Sequence, residues 1–330
     1  MRIGTLDMPM GAALAPMAGV TDACFRPLCF EMGAAWAVSE MVSANGYLHM
    51  NRNDRAVREL LMRAEGEGIC GLQLFGHDPL IMAEAANQLE SAGFEFIDVN
   101  MGCPTHKIVG NGDGSALMKK PMLCGEIISA MVKRVRLPVT VKIRAGWDAD
   151  SVNASVVARI CEDAGAAAIT VHGRTRSMGY AGQADRGVIR DVAQNAGVPV
   201  IGNGDVRSGA DALAMMAETG CAAVAVGRGA QGNPWLFREI RCAMMGEHNQ
   251  SPGMAERVDM AVRHMDMMLP MRGERGAMLE MRKHIAWYLQ GARGCAGLRG
   301  QVNALKSTAE VRALLMAYRD TLNDTMEGGQ

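Results

Sequence analysis

Short apolar or β-branched runs recur along the first 230 residues, and each is followed by a segment long enough for a helix. The predicted strands cover residues 12–14, 36–39, 71–75, 96–99, 139–143, 168–171, 198–201 and 223–226. Helical patterns with a polar face lie between them, as over 80–91, 122–135, 153–164 and 210–219. A spacing of about 25 to 40 residues per strand–helix unit, repeated eight times, predicts an α/β fold of the (β/α)8 TIM-barrel class.

The strand pattern stops near residue 246, where turn-forming residues collect between 246 and 253. Beyond this point apolar residues repeat at helical spacing, which predicts a small C-terminal helical bundle. We therefore expect two domains, a barrel over residues 1–245 and a helical domain over 246–330. A doubly wound open sheet is the alternative, but no Gly-x-Gly-x-x-Gly fingerprint follows the first strand.

Polar side chains follow most of the predicted strands. The carboxyl ends of barrel strands meet on one face, where barrel enzymes place their active sites. The residues of functional type at these ends are Glu40, Gln73, Asn100, Cys103, Lys142, Arg144, His172, Arg174, Asn203, Asp205 and Arg228. Any one of them could form a rim salt bridge, but their number on one rim favours an active site.

Cys103 lies in Met-Gly-Cys-Pro, directly after the predicted buried strand 96–99. A thiol at a sharp turn after a strand is held rigidly and faces a cleft, as a reacting cysteine requires. On this segment alone, a packed small residue is an equally good interpretation, because free cysteine is among the most buried residue types.

Two glycine-rich turns indicate a phosphate site. Residues 202–205 (GNGD) and 227–230 (GRGA) follow the seventh and eighth strands, and each precedes a helical pattern. Glycine lets backbone N–H groups approach an anion closely, and this pair of loops is the recurrent phosphate site of such barrels. Tight turns that need glycine for a positive φ are the alternative.

The composition excludes several classes of protein. A net charge of −1 gives no overall attraction to nucleic acid or membrane, so a polyanionic partner would need a locally basic surface. The nine cysteines include no Cys-x-x-Cys pair, which fits reduced thiols and predicts no metal site. No segment approaches the ~20 apolar residues of a membrane helix. We expect a soluble cytoplasmic protein without an obligate protein partner.

Several motifs together resemble the tRNA-dihydrouridine synthase family, and most closely its bacterial B type. They are residues 15–22 (APMAGVTD), 38–41 (VSEM), 98–104 (DVNMGCP), 141–147 (VKIRAGW), 170–176 (TVHGRTR), 201–205 (IGNGD), 227–235 (GRGAQGNPW), 282–284 (RKH) and 287–288 (WY). The resemblance extends from end to end of the chain.

The resemblance implies a flavin mononucleotide (FMN) enzyme that uses NADPH to reduce particular uridines of tRNA to 5,6-dihydrouridine. The residues that it places around the flavin are Pro16, Met17, Ala18, Gln73, Lys142, His172, Asn203, Gly204, Asp205, Gly227 and Arg228. It places Asn100, Arg144 and Arg174 near the target uracil, although His172 and these three residues could also face the cofactor phosphate. No segment indicates a dedicated NADPH site.

The same resemblance gives Cys103 a catalytic role. Reduction of the uracil C5=C6 bond requires hydride at C6, from flavin N5, and a proton at C5, for which Cys103 is the proposed donor. An ordinary cysteine thiol is mostly protonated at neutral pH, since its pKa is about 8.5. The other eight cysteines match no catalytic position and are predicted to pack. In the loop after Cys103, Asp113 stands where the family usually has a less polar residue, so the resemblance does not predict the conformation of this loop.

Arg282 and Lys283 lie on a predicted helix of the C-terminal segment. Charge alone favours a solvated helix face, whereas the resemblance implies that this helical domain binds tRNA. Together with Arg144, Arg174, Arg176 and Arg228 they would form a basic track to the barrel mouth. Two rival functions stay open: a flavin-dependent reductase of a free pyrimidine, and a non-catalytic RNA-binding protein.

Overall fold

Eight parallel strands close into a barrel, which confirms the predicted architecture. A computed structural model describes residues 1–50 and 54–327. The strands are β1 (Arg2–Ile3), β2 (Leu6–Asp7), β3 (Ala13–Leu14), β4 (Trp36–Ser43), β5 (Cys70–Phe75), β6 (Phe96–Met101), β7 (Val139–Arg144), β8 (Ile169–His172), β9 (Val200–Asn203) and β10 (Ala223–Val226). The barrel runs β10-β3-β4-β5-β6-β7-β8-β9, and β1 and β2 form a separate antiparallel hairpin.

Helices connect the strands and cover the outside of the barrel. They are α1 (Phe25–Glu31), α2 (Ala44–His49), α3 (Arg55–Leu60), α4 (Pro79–Leu89), α5 (His106–Gly110), α6 (Pro121–Val132), α7 (Ala154–Asp163), α8 (Arg186–Asn195), α9 (Gly209–Thr219), α10 (Leu236–Met245), α11 (Met254–Tyr288), α12 (Cys295–Ala304) and α13 (Thr308–Glu327). Short 3-10 helices cover Gly114–Lys119, Ala149–Ser151 and Arg228–Ala230.

Local sequence explains where these elements begin and end. In α4, Asp78 accepts hydrogen bonds from the N–H groups of Leu80 and Ile81 at 2.8 and 3.0 Å, and Pro79 occupies the first turn. In β6 every residue is buried, because one face lies inside the barrel and the other lies under helices. That two-sided burial is why the barrel strands are recognisable as apolar runs.

The hairpin of β1 and β2 covers the amino-terminal end of the barrel. Ile3 and Met8 are buried in one apolar cluster with Trp36 and Phe96 from the barrel strands. The Phe96 ring occupies the space where a Cβ of Gly71 would lie, only 2.2 Å from a ring carbon, so residue 71 must be glycine. The opposite, carboxyl-terminal end is the one that stays open.

The C-terminal helices pack against the barrel through a shared apolar core. Val258, Met265 and Tyr288 of α11 belong to the same buried cluster as the barrel strands and their helices. Non-helical backbone at Gly273 (φ +68°) divides α11 into two parts. The boundary predicted at residue 246 coincides with Gly246, which ends α10 at φ +69°, but division into independent domains stays a prediction. No helix in residues 1–50 and 54–327 is long and apolar enough to cross a membrane.

Candidate active site

A cleft of about 950 Å³ opens at the carboxyl-terminal ends of the barrel strands. Its volume lies at the upper end of the range for small-molecule sites. The predicted site residues that line it are Pro16, Met17, Ala18, Gln73, Asn100, Cys103, Lys142, Arg144, His172, Arg174, Asn203, Gly204, Asp205, Gly227 and Arg228. The barrel therefore brings together side chains that are more than 200 residues apart in the chain.

Cys103 lies at the edge of this cleft, half-buried, in the turn that follows β6. The side-chain oxygen of Asn100 accepts hydrogen bonds from the N–H groups of Gly102 (3.1 Å) and Cys103 (2.8 Å). The Cys103 carbonyl accepts from the N–H and the hydroxyl of Ser115 at 3.0 and 2.8 Å. Its Sγ lies 3.4 Å from Thr105 Oγ1. The turn is thus fixed from both sides, while the thiol itself faces the cleft.

The other cysteines differ from Cys103 in burial. Cys242 and Cys295 are half-buried but lie outside the cleft lining. The remaining six, Cys24, Cys29, Cys70, Cys124, Cys161 and Cys221, are buried, and burial raises the pKa of each thiol. A raised pKa keeps a thiol protonated and inert. This arrangement supports the prediction that these six pack and do not react.

A buried chain of hydrogen bonds supports the Cys103 turn. Asp98 of β6 accepts from Gln73 Nε2 at 2.7 Å and from Thr140 Oγ1 at 2.6 Å. Gln73 Oε1 accepts in turn from Asn100 Nδ2 at 2.8 Å. Burial raises the pKa of the Asp98 carboxyl. Asp98 was not identified from the sequence as a site residue. It orients Gln73 directly, and through Gln73 it orients Asn100.

Lys142 of β7 provides a cation at the base of the cleft. Its Nζ donates to Asn203 Oδ1 at 2.9 Å, and Asn203 Nδ2 donates to the Ala225 carbonyl at 2.7 Å. Burial, and to a smaller extent the nearby Arg144 guanidinium, lower the pKa of Lys142 to about 8. The ammonium group is therefore protonated at neutral pH but close to titration.

Two buried arginines shape the wall beside Lys142. Arg144 donates through Nε to the Gly102 carbonyl at 2.8 Å and through Nη1 to the carbonyls of Thr175 and Gly179 at 2.8 and 2.9 Å. Arg174 pairs with Asp205 at 2.8 Å. Burial and the surrounding cations, Lys142 foremost among them, lower the pKa of His172 far below its usual value, so its imidazole is neutral.

The two glycine-rich turns lie side by side at the cleft. A Cβ on Gly227 would have only the Met17 sulfur within 4 Å, at 3.8 Å, so this backbone is open to the cleft. Gly204 has φ +121°, which favours glycine. Arg228 begins the 3-10 helix after Gly227, and Arg207 lines the cleft nearby. Open backbone at Gly227 beside two arginines is compatible with the predicted phosphate site, which stays a prediction.

Comparison with known proteins decides the family. The dihydrouridine synthase (Dus) family model matches residues 13–323. A tRNA-dihydrouridine synthase B of Shewanella oneidensis is 40% identical over 323 residues, covering 98% of this chain and 99% of the relative. One of Pseudomonas aeruginosa is 41% identical over 308 residues, covering 93% and 92%. A probable tRNA-dihydrouridine synthase of Rickettsia conorii is 39% identical over 325 residues, 98% of each chain.

The chain belongs to the dihydrouridine synthase family. Enzymes of this family are flavin-dependent oxidoreductases that reduce uridines of tRNA, so the predicted resemblance and enzyme class are confirmed. A solved structure of histamine dehydrogenase from Rhizobium sp. 4-9 aligns with TM-score 0.56 and 14% identity over 81% of this chain and 50% of that one. At that identity the likeness supports the barrel fold alone.

The loop that departs from the dihydrouridine synthase pattern has a defined conformation. Asp113 is buried, and its Oδ1 lies 2.8 Å from Nδ1 of His77, which follows β5. A Cβ on the next residue, Gly114, would lie 2.8 Å from the Cys103 carbonyl oxygen, so the loop packs directly on the cysteine turn. The pair links the ends of β5 and β6 beside the thiol.

Arg282 and Lys283 do not line the cleft. Arg282 donates to the Asn303 carbonyl at 3.1 Å, and Lys283 pairs with Glu280. The Lys283 ammonium nevertheless lies 3.1 Å from where a Cβ of Gly19 would be, at the edge of the mouth. Their role in binding tRNA stays a prediction. The neighbouring His284 is buried, so this run of three residues is not a continuous basic surface.

Tyr180, which the sequence did not single out, also lines the cleft. Its ring lies 4.7 Å from the Arg228 guanidinium carbon and 5.8 Å from that of Arg144. It is 59% exposed and lies in an irregular loop after β8. Arg257 and Trp287 of α11 extend the lining further. No periodic pattern marks a loop residue such as Tyr180, so only the fold reveals it.

Proposed function

We propose that this protein binds FMN in the barrel mouth and uses NADPH to reduce specific uridines of tRNA to 5,6-dihydrouridine, in the cytoplasm. The observation that carries the proposal is the position of Cys103. A half-exposed thiol lies on one side of a cleft, and a cation and two glycine-rich turns, one of them with open backbone at Gly227, lie on the other sides. A proton donor and an anionic redox group can thus approach one base from different directions.

The donor set suits FMN. Pro16, Met17 and Ala18 form a turn closed by hydrogen bonds from the N–H groups of Val20 and Thr21 to the Met17 carbonyl, both 3.0 Å, and would lie against the ring. Gln73 and His172 would face the ring from the strand ends. Phosphate and ribityl contacts would come from Asn203, Gly204, Asp205, Gly227 and Arg228. Lys142 would place its positive charge beside the ring edge that becomes negative on reduction.

When bound, the flavin supplies hydride to carbon 6 of the uracil, and NADPH returns the flavin to its reduced form. The protein's own contribution is the proton. Cys103 Sγ would donate it to carbon 5 as the C5=C6 double bond becomes single, and the half-exposed thiolate would recover a proton from water. Asn100 holds the cysteine turn, and Arg144 ties Gly102 to the neighbouring loop. Asn100, Arg144 and Arg174 are also the candidates to face the uracil.

The decisive experiment compares substrates and one variant. Purified protein should show flavin absorbance and should reduce uridine in undermodified tRNA, but not free uridine. Cys103→Ala should retain the flavin and lose about 10²-fold or more of its tRNA reduction, as for a general acid. Cys242→Ala, a half-buried cysteine on α10, is the matched control and should be unchanged. Full activity of Cys103→Ala would remove the thiol from this role, and reduction of free uridine would favour a pyrimidine reductase.

A further inference from the structure

A second cluster of cations lies on the barrel rim, outside the cleft. Lys119 Nζ is 3.6 Å from the centre of the Trp147 ring, and the Arg176 guanidinium carbon is 4.6 Å from it. Lys119 ends the 3-10 helix after β6, Trp147 follows β7 and Arg176 follows β8. We call these three residues the rim patch. Three consecutive barrel loops thus contribute to one surface feature.

Backbone hydrogen bonds make the rim patch rigid. The N–H of Arg176 donates to the Gly146 carbonyl, and the N–H of Ser177 donates to the Trp147 carbonyl, both at 2.9 Å. Trp147 and Arg176 are half-buried, whereas Lys119 is exposed. Contacts with the Trp147 ring hold the two cationic side chains in place. Their conformational entropy is therefore lost when the protein folds, and not when a ligand binds. The patch is therefore preorganised to bind an anion.

The charge of the rim patch is not balanced. Neither Lys119 nor Arg176 forms an ion pair with any carboxylate in the described ranges, whereas the surface arginines Arg134 and Arg186 both do. Asp148, the residue after Trp147, accepts a hydrogen bond from the Ser151 hydroxyl at 2.6 Å. Two like charges on one indole repel each other, and an anion that contacts both would relieve that repulsion.

The position of the rim patch suggests which anion. In the barrel order β7 lies opposite β3, and α11 contacts the turns after β3 and β10, at Gly19 and Gly232. The rim patch is thus across the mouth from the C-terminal helices, with Cys103 nearer to it. Arg144 connects the two, because it binds both the Gly102 and the Thr175 carbonyls. A macromolecule whose base reaches Cys103 would cover this rim.

We propose that Lys119 and Arg176, oriented by Trp147, bind the sugar–phosphate backbone of tRNA beside the base that enters the mouth. This inference rests on the proposed function. Lysine and arginine are the usual phosphate ligands, and such contacts fix the register of an RNA without reading its sequence. Binding on both sides of the mouth would hold the nucleotide while its base is unstacked. The other phosphate-bearing candidate is NADPH.

The test uses the flavin-loaded enzyme and undermodified tRNA. Lys119→Gln with Arg176→Gln should weaken tRNA binding by at least tenfold. The slope of log affinity against log salt should fall by about 0.7 to 0.9 for each phosphate that the variant no longer binds. Lys133→Gln with Arg159→Gln is the matched control, because it removes the same charge from exposed positions on the outer side of the barrel. Flavin content and oxygen-coupled NADPH oxidation should be unchanged in both.

Three results would overturn the inference. Unchanged tRNA affinity, or a salt slope equal to that of the control, would exclude phosphate binding at the rim patch. A raised KM for NADPH in the oxygen-coupled assay would assign it to the nicotinamide cofactor. If the double variant does not fold, Lys119→Gln alone decides, since Lys119 is exposed. Failure of the unaltered enzyme to reduce tRNA would instead refute the proposed function itself.

Discussion

Buried polar side chains occur in two regions of this protein, and the contacts that hold them differ between the two. In the barrel mouth, Asp98, Gln73 and Asn100 form a continuous chain of hydrogen bonds at 2.7 to 2.8 Å. On the buried face of α11, His264 and His284 are packed among aromatic rings, with their own rings 4.5 Å apart. Polar residues at the mouth are held by directional partners, whereas the two histidines of α11 act as core side chains.

The histidine pair shows this second behaviour clearly. His264 Nδ1 lies 3.4 Å from the Tyr288 hydroxyl, a long contact. Neither ring nitrogen of His284 has a hydrogen-bond partner of ordinary geometry in the described part of the chain, although the Gly19 backbone is close. Burial lowers the pKa of His264 to about 4 and that of His284 to about 2. The hydrogen bonds at the mouth fix the orientation of side chains for the reaction, whereas the neutral histidines pack α11 against the barrel.

The largest test of this contrast replaces the cation of the mouth. Lys142→Met should lower tRNA reduction by more than tenfold, because the ring edge of the bound flavin would lose its positive neighbour. The rate at which NADPH reduces the bound flavin, a step that does not use Cys103, should fall in the unaltered enzyme as pH rises through about 8, where Lys142 loses its proton. The variant should show no such decline. Rates between pH 6.5 and 9.5 measure both, with Lys133→Met as control; a decline that persists in Lys142→Met would contradict the assignment.

Breaking the hydrogen-bond chain should have the next largest effect. Asn100→Ala removes the acceptor of the Cys103 N–H and leaves Gln73 Oε1 without its donor, so tRNA reduction should fall about tenfold. An unsatisfied buried group also costs about 1–3 kcal/mol of unfolding free energy. Steady-state rates and urea denaturation measure the two effects. Asn100→Asp restores the acceptor and should recover part of the rate; equal loss in both variants would point to another role.

The histidine pair should affect stability and its dependence on pH. The unfolded chain binds protons at both histidines near pH 6.5, but the folded protein does not until pH is well below that. Stability should therefore fall as pH drops from 6.5 toward 4, by up to about 1.4 kcal/mol per pH unit for each histidine. His264→Leu should reduce this slope, and the exposed His248→Leu should not. Denaturation at several pH values tests it; identical slopes would show that His264 is charged in the fold.

The smallest effect should come from the loop beside Cys103. His77 is 54% exposed at its side chain, so its pairing with Asp113 contributes about 0–1 kcal/mol. His77→Ala should lower the rate of tRNA reduction by about fivefold at most, with flavin content unchanged. His77→Asn retains a donor and serves as control. A larger loss, shared by both variants, would mean that His77 itself contacts substrate.

The sequence predicted the barrel well because its strands are buried on both faces. It missed the extension of β4 to Ser43, since Glu40 and Ser43 interrupt the apolar run. It also missed the hairpin of β1 and β2, whose strands are two residues long. Such elements are defined by packing on the barrel end and not by a local pattern.

At the site, the rule that strand ends converge identified polar residues at the centre of the cleft, including Lys142 and Arg144, but Glu40 does not line it. It could not identify Asp98, which lies inside the strand, where an acidic residue gives no positional signal. The pairing of His77 with Asp113 joins two loops 36 residues apart. His284 follows Arg282 and Lys283 but points into the core, because successive residues on a helix occupy different faces.

The amino-terminal hairpin has a kinetic consequence. Because Ile3 and Met8 close the amino-terminal end of the barrel, a nicotinamide and a nucleobase would both have to reach the flavin through the mouth. The two substrates would then bind in turn, and the first would dissociate before the second binds. Double-reciprocal plots at different NADPH concentrations should then be parallel, the pattern of a ping-pong enzyme.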